Sequence, residues 1–220
     1  MSYPINYPTP QGANIQIFTS YMDVSNPETG FDWVKPQGAS FVWFTLIGPG
    51  GNGDGTSGGG SGAITNFMCP AFLIPNILSI NPGTPSNNAT TVKYRLKTGA
   101  TSYTLLSANH ASGVSAAAAM TANAFTAMGF FQSVAGQAGG LGQNASSTTF
   151  LGGGGANASA QTSNYGYSTG PISTNRTGFF MLQPIIVGAG GMGTGNGGIG
   201  CGGGASSAIG GPGMVVIITW

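Results

Sequence analysis

The sequence predicts an all-β protein, a β-sandwich of the jelly-roll or TNF-like type that contains packed glycine-rich segments. Three observations support this prediction. Short runs rich in β-branched and aromatic residues recur along the chain, which is typical of strands. Glycine accounts for 41 of the 220 residues and concentrates in dense blocks that directly follow two of these runs. Charged residues make up 4% of the chain and hydrophobic residues 40%, a balance that excludes a disordered chain.

The strand candidates are short and bounded by turn residues, as in sandwiches. They lie at 14–21, 39–47, 63–69, 71–80, 90–97, 102–108, 179–187 and 214–219. Pro75 reduces 71–80 to two short pieces or to an edge strand with a bulge. In 90–97, basic residues at alternate positions share one strand face, which is either a solvated face or a contact for an acidic partner or polysaccharide.

One short helix is predicted over 114–128. Four consecutive alanines in this range favour a helix, and Ser112 or Ser115 is a suitable N-cap.

The two glycine blocks, 48–62 and 188–213, are predicted to be ordered polyglycine II segments. This geometry has three residues per turn and no internal hydrogen bonds, so neighbouring segments can pair their backbones where glycine faces inward. With three residues per turn, every third residue of the second block lies on the same edge, and one such edge is almost entirely glycine. That edge consists of Gly188, Gly191, Thr194, Gly197, Gly200 and Gly203. Met192, Ile199 and Cys201 lie on the other edges and are expected to point at a core.

The chain offers no candidate catalytic centre, cofactor site or metal site. The spacing GxGxxG occurs from Gly48 and from Gly188, but neither copy precedes the helix and acidic residue that a dinucleotide fold needs. His110 is the single histidine, and the chain has no cysteine or histidine pair at zinc-ligand spacing. We therefore expect a protein that is not an enzyme and that uses no cofactor.

Charge and hydropathy also limit the partners. A net charge of +1 does not supply the basic groups that nucleic-acid binding needs. No apolar run reaches the roughly 20 residues of a membrane span. The first twelve residues lack the basic start and apolar core of a secretory signal, which favours cytosolic synthesis. Cys69 and Cys201 can pair once or remain free thiols, and cytosolic synthesis favours free thiols.

The segment 163–170, SNYGYSTG, has the composition of a recognition loop. Tyrosine supplies contact area at low entropic cost, while Ser, Asn and Gly supply adaptable hydrogen bonds. Tyr165 and Tyr167 are therefore the receptor-binding candidates. The alternative is an ordinary surface loop with two half-buried tyrosines.

Three stretches carry a resemblance to a known group of proteins. They are DWVKPQGASFVWFTLIGPGGNGDG at 32–55, AFLIPNILSINPG at 71–83 and GGPGMVVIITW at 210–220. Their order resembles the glycine-rich, polyglycine II-type domains of phage tail-tip adhesins and of virion spike and capsid surface proteins. The resemblance covers 31–220, although 84–90, TPSNNAT, replaces the glycines usual there. The glycine-rich region of the anaplastic lymphoma kinase receptor family is similar too, but belongs to a secreted, cysteine-bearing context.

The resemblance implies a viral, and specifically bacteriophage, structural protein: a capsid spike or a tail-tip attachment component. It would be assembled in the host cytoplasm and located in the virion. Residues 1–30 would be an anchoring arm and 31–220 the sandwich domain. The expected partners are further copies of the chain, as in a homo-oligomer such as a trimer, other virion proteins, and a host surface glycan or protein. A cellular extracellular glycine-rich binding module is the alternative.

Overall fold

The computed structural model describes residues 13–20, 30–85, 87–95, 102–139 and 194–220. In these ranges the chain forms nine strands and two single-turn 3-10 helices, with no α-helix. The strands are β1 (Asn14–Thr19), β2 (Phe31–Val34), β3 (Phe41–Ile47), β4 (Ile64–Pro70), β5 (Ile77–Asn81), β6 (Thr90–Arg95), β7 (Ser102–Ala108), β8 (Phe130–Val134) and β9 (Met214–Thr219). The 3-10 turns lie at Ala71–Leu73 and Thr126–Met128.

The strands form two antiparallel sheets that pack together. One sheet has five strands in the order β1, β9, β3, β4, β8, and the other has four in the order β2, β5, β6, β7. The predicted all-β sandwich is therefore confirmed. Its jelly-roll or TNF-like connectivity stays a prediction.

The core lies between the sheets and follows the alternation of strand side chains. On β3, Val42, Phe44 and Leu46 point into it, and Leu78 and Ile80 of β5 meet them from the other sheet. Burying each such side chain stabilises the fold by about 1.5–3 kcal/mol.

Most strand predictions within the described ranges are confirmed, and two strands are new. The sequence did not predict β2 and β8, which have four and five residues. At Pro75 only the second piece of 71–80 is a strand, because the first piece turns at Ala71–Leu73. The candidate at 179–187 lies outside the described residues.

The helix predicted over 114–128 is wrong. Apart from the 3-10 turn at Thr126–Met128, this stretch is not helical. Its backbone bonds to neighbouring segments instead: the Ala117 N–H donates to the Ser61 carbonyl at 3.1 Å, and the Ala117 carbonyl accepts from the Gly136 N–H at 2.8 Å. Alanine's helix preference is worth only tenths of a kcal/mol per residue, so these tertiary contacts override it.

The sandwich has two distinct ends. At the end that we call the glycine end, β3 and β8 finish and β4 and β9 begin. At the opposite end, which we call the arm end, β1 begins, because Asn14 pairs with Thr219 at the last position of β9. Thus β1 belongs to the five-stranded sheet, although its residues fall within the predicted arm. Residues 1–12 and 21–29 lie outside the described part of the chain.

Candidate functional site

Six segments rich in glycine and other small residues lie side by side at the glycine end, and we call them the glycine lattice. The segments are 48–53, 58–63, 109–117, 136–139, 195–204 and 208–213. Each one continues or precedes a strand of the sandwich or is bonded to a segment that does. The strands therefore position the lattice, and the lattice in turn holds the loops beyond it.

Backbone hydrogen bonds join the lattice segments with a spacing of three residues. Gly48 and Gly51 donate to the carbonyls of 63 and 60 at 2.8 and 2.9 Å. Gly50 and Gly53, which face another neighbour, donate to the carbonyls of 211 and 208 at 2.9 and 3.0 Å. A period of three is that of polyglycine II, in which successive backbone groups point to different neighbouring chains.

The contacts between segments leave no room for a side chain. A Cβ added at Gly59 would overlap the Gly51 carbonyl oxygen, and one added at Gly53 would overlap the oxygen of Gly204. In both cases the obstacle is backbone, which cannot move aside as a flexible side chain can. Glycine is therefore required at these positions by close approach.

Part of the predicted glycine edge lies within the residues that the structure describes. Gly197 and Gly203 are buried and donate to the carbonyls of Ile209 and Gly51 at 2.9 and 3.0 Å. Gly200 also donates to a neighbour, but its φ of +74° lies in a turn closed by a Cys201-to-Gly198 hydrogen bond of 2.8 Å. The edge thus bends at Gly200, where glycine is required by backbone conformation. Gly188 and Gly191 lie outside the described residues.

Apolar residues attach the lattice to the sandwich. Cys201 is fully buried in a cluster with Ile47 and Met214, and Ile199 packs against that cluster. Met192 lies outside the described residues. Cys69 and Cys201 are both buried, and they are not joined in a disulfide. Burial raises the pKa of the Cys69 thiol to about 11, against a smaller lowering by the charge of Lys35.

The outermost described loops are fixed by side chains that bond to the backbone. One Asp54 carboxylate oxygen accepts from the Thr56 and Ser57 N–H groups at 2.9 and 2.7 Å and from the Thr56 hydroxyl at 3.0 Å. These bonds, led by the one from Ser57, lower the pKa of Asp54. The Asn52 and Asn196 amide oxygens accept from the N–H groups of Gly210 and Ile209. The lattice therefore ends in loops of defined shape.

Tyr165 and Tyr167, the receptor-binding candidates, lie outside the described residues. The described positions on either side of their segment are part of the lattice. The Gly139 N–H donates to the Val114 carbonyl, and the Gly195 carbonyl accepts from the Gly204 N–H, both at 2.9 Å. Described lattice residues thus lie on both sides of the segment that contains these tyrosines.

Chemically reactive groups are sparse in the described part of the chain. His110 is partly buried within lattice segment 109–117. Within the described ranges no three His, Cys, Asp or Glu side chains are grouped so that they could hold a metal ion. None of the helices found in those ranges has the length and apolar character needed to cross a membrane.

Sequence reasoning missed two of the lattice segments, 109–117 and 136–139. The signal was present, because residues 111–119 are all Ala, Ser, Gly or Val and are nearly as small as the glycine segments they join. Small size was interpreted as helix preference, whereas here it permits close packing.

No protein-family model matches this chain, and no curated protein matches it either.

Proposed function

We propose that this protein is a structural surface protein of a virus, a bacteriophage capsid spike or tail-tip attachment component. The observation that carries the proposal is the polarity of the molecule. Strand β1 starts at the arm end, while the lattice and its loops occupy the opposite end. A protein anchored by its N-terminal arm would present the lattice loops outward.

The lattice suits this role because it is rigid and uncharged. Its segments are held by backbone hydrogen bonds, and its loops are fixed by Asp54, Asn52 and Asn196. A loop that is already ordered loses less entropy when it binds, so contacts made there convert more fully into affinity. Tyr165 and Tyr167, in the segment whose flanks belong to the lattice, are the proposed contacts with a host glycan or protein.

Composition supports self-association and incorporation into a particle. With 4% charged residues, the surface has few of the groups that keep protein monomers apart. We propose that the protein forms a homo-oligomer, contacts other virion proteins, and is located in the virion after assembly in the host cytoplasm.

Two buried cysteines that are not joined in a disulfide favour this proposal over a secreted cellular module. Small secreted domains commonly use disulfides for stability, whereas both cysteines here act as apolar core residues. The sandwich core and the backbone lattice supply the stability that disulfides give elsewhere.

The test is the double variant Tyr165→Ala/Tyr167→Ala in virions that carry the protein. We expect normal particle yield and protein content with reduced adsorption to host cells. Tyr103→Ala is the matched control, because Tyr103 is an exposed tyrosine on β7. Unchanged adsorption of the double variant would remove the tyrosines from the site, and absence of the protein from purified virions would overturn the proposed function.

A further inference from the structure

Met120 joins the edge strands of the two sheets. Strand β7 lies at the end of the four-stranded sheet, and β8 lies at the end of the five-stranded sheet. The Met120 backbone N–H donates to the Ser133 hydroxyl of β8 at 2.8 Å. The Met120 sulfur accepts from the Ser107 N–H of β7 at 3.2 Å. One residue therefore holds both edges, through its backbone and through its side chain.

Thr65 of β4 completes a closed set of hydrogen bonds with these groups. Its hydroxyl donates to the Ser107 carbonyl at 2.7 Å and also bonds to the Ser133 hydroxyl at 2.9 Å. We call the four residues Thr65, Ser107, Met120 and Ser133 the seam. Each bond in a network of this kind depends on the position of its neighbours. A change at one member of the seam should therefore loosen the others.

The Met120 sulfur is the chemically sensitive group of the seam. A methionine thioether is converted by peroxides to the sulfoxide, whereas hydroxyl and peptide groups are not. A sulfur lone pair attacks one oxygen of hydrogen peroxide, the O–O bond breaks, that oxygen stays on sulfur, and the other leaves as water. The sulfur is thereby oxidised and the peroxide is reduced. Met120 is partly exposed, which gives a small oxidant access to the residue.

The oxidised side chain does not fit the seam. The Ser107 N–H faces the sulfur at 3.2 Å, which leaves no space for an oxygen atom between the two groups. If the new oxygen points away, it withdraws electron density from the sulfur that accepts the N–H. If the oxygen takes the place of the sulfur, the Met120 side chain must retreat and pull its backbone from Ser133. The seam opens in both cases.

We propose that Met120 is a reversible oxidation site, and that its conversion to the sulfoxide by a peroxide releases the edge of β7. The same edge is held at a second point, where the Asn123 side-chain amide donates to the Leu105 carbonyl at 3.1 Å. Asn123 follows Met120 closely in the chain, so movement of Met120 weakens this contact too. The proposal rests on the seam and does not depend on a location in the virion.

Limited oxidation of the full chain with hydrogen peroxide tests the proposal. Peptide mass spectrometry should find Met128, which is 46% exposed, oxidised first, Met120 next, and Met214, which is 5% exposed, last. Hydrogen-exchange mass spectrometry then follows a peptide that contains β7. Its amides should exchange about tenfold faster once Met120 is oxidised, because the Ser107 N–H has lost its acceptor. Protein in which Met128 alone is oxidised should exchange at the original rate.

Two leucine variants separate Met120 from the other methionines. Leucine has nearly the size of methionine but no sulfur. In Met120→Leu the β7 peptide should exchange rapidly before peroxide is added, and peroxide should not accelerate the exchange further. Met128→Leu is the matched control, because Met128 lies in a 3-10 turn outside the seam. In this control peroxide should accelerate exchange as it does in the wild type.

A third variant tests the seam if Met120→Leu does not fold. Ser133→Ala removes the acceptor of the Met120 backbone N–H, so Met120 is held less firmly. Peroxide should then oxidise Met120 faster than in the wild type, while the rate at Met128 stays the same. Equal Met120 rates in the two proteins would show that the seam does not hold this residue.

Repair of the sulfoxide is the final measurement. Methionine sulfoxide reductases for both epimers should restore the thioether, and slow exchange of β7 should return with it. A Met120 that resists peroxide until the protein unfolds, or whose sulfoxide the reductases leave in place, rules out a reversible site. Unchanged β7 exchange in protein with oxidised Met120 rules out the effect on the edge. Acceleration by peroxide in Met120→Leu, or rapid exchange after complete repair, assigns the change to another residue.

Discussion

At the scale of single residues, glycine acts here as a packing residue. Two positions in one loop region separate its two uses. At Gly59 an added Cβ would overlap the Gly51 carbonyl oxygen, whereas at Gly55 the space is open and only the φ of +99° favours glycine. The two reasons for glycine can therefore be tested separately: close approach of another segment at Gly59 and a positive φ at Gly55.

We expect Gly59→Ala to cost more stability than Gly55→Ala. The left-handed conformation costs an alanine about 1–2 kcal/mol. Overpacking typically costs about 1–3 kcal/mol and occasionally more, and Gly59→Ala is expected at the upper end of this range because two lattice segments must separate. Urea unfolding of the two variants measures the difference, and equal midpoints would contradict the packed-lattice interpretation.

Cys69 yields a prediction about pH. Its pKa of about 11 exceeds the ordinary 9.0, so the thiol stays protonated in the folded protein. Because the folded protein holds the thiol proton more tightly than the unfolded chain does, burial of the neutral thiol contributes fully to stability below pH 9. This contribution is lost as the pH rises through 11. We expect iodoacetamide at pH 8 to leave Cys69 unmodified in the native protein and to modify it in denaturant, as read by mass spectrometry. Stoichiometric native modification at pH 8 would show that the thiol is accessible.

At the scale of elements, the informative case is segment 109–117. The helix predicted over 114–128 included Ala117 and Ala118, but in the structure neighbouring alanines of this stretch alternate between buried and exposed positions. Ala111 and Ala117 are buried with Ala63, whereas Ala118 is exposed. A local propensity could not reveal this, because the partners at Ser61 and Gly136 are distant in sequence.

Neighbouring alanines should therefore respond differently to enlargement. Ala117→Leu must displace packed backbone and should destabilise the protein by about 1–3 kcal/mol. Ala118→Leu places the same side chain in solvent and should change stability by less than about 0.5 kcal/mol. Thermal melts compare the two, and similar losses in both would contradict the extended packing of this segment.

The strands show which elements a local sequence pattern can predict and which it cannot. Strands β3 and β9 were predictable because each contains an unbroken run of at least six apolar or β-branched residues. In β4 and β7 such residues predominate, although polar residues interrupt the run. The short β2 and β8 were not, since Asp32 and Gln132 interrupt their apolar pattern and their pairing with β5 and β4 defines them.

At the scale of the whole molecule, the sandwich and the ordered structure of the described glycine segments were predictable from composition and spacing. The arrangement of the lattice was not, because its six segments come from distant parts of the chain. For the same reason the edge at 188–203 was predicted as one straight row, whereas its described part bends at Gly200. The receptor candidates Tyr165 and Tyr167 stay a prediction.

The backbone bonding of the lattice separates folding from recognition. Main-chain groups are the same in every residue, so the hydrogen bonds that hold the lattice do not depend on the identity of the side chains in the loops it supports. Substitutions at loop-tip positions such as Thr56 and Ser57 can therefore accumulate while the glycines around them stay constrained. If the protein is the viral surface protein that we propose, the virus could change its host range through small changes in sequence, without rebuilding the fold that presents the loops.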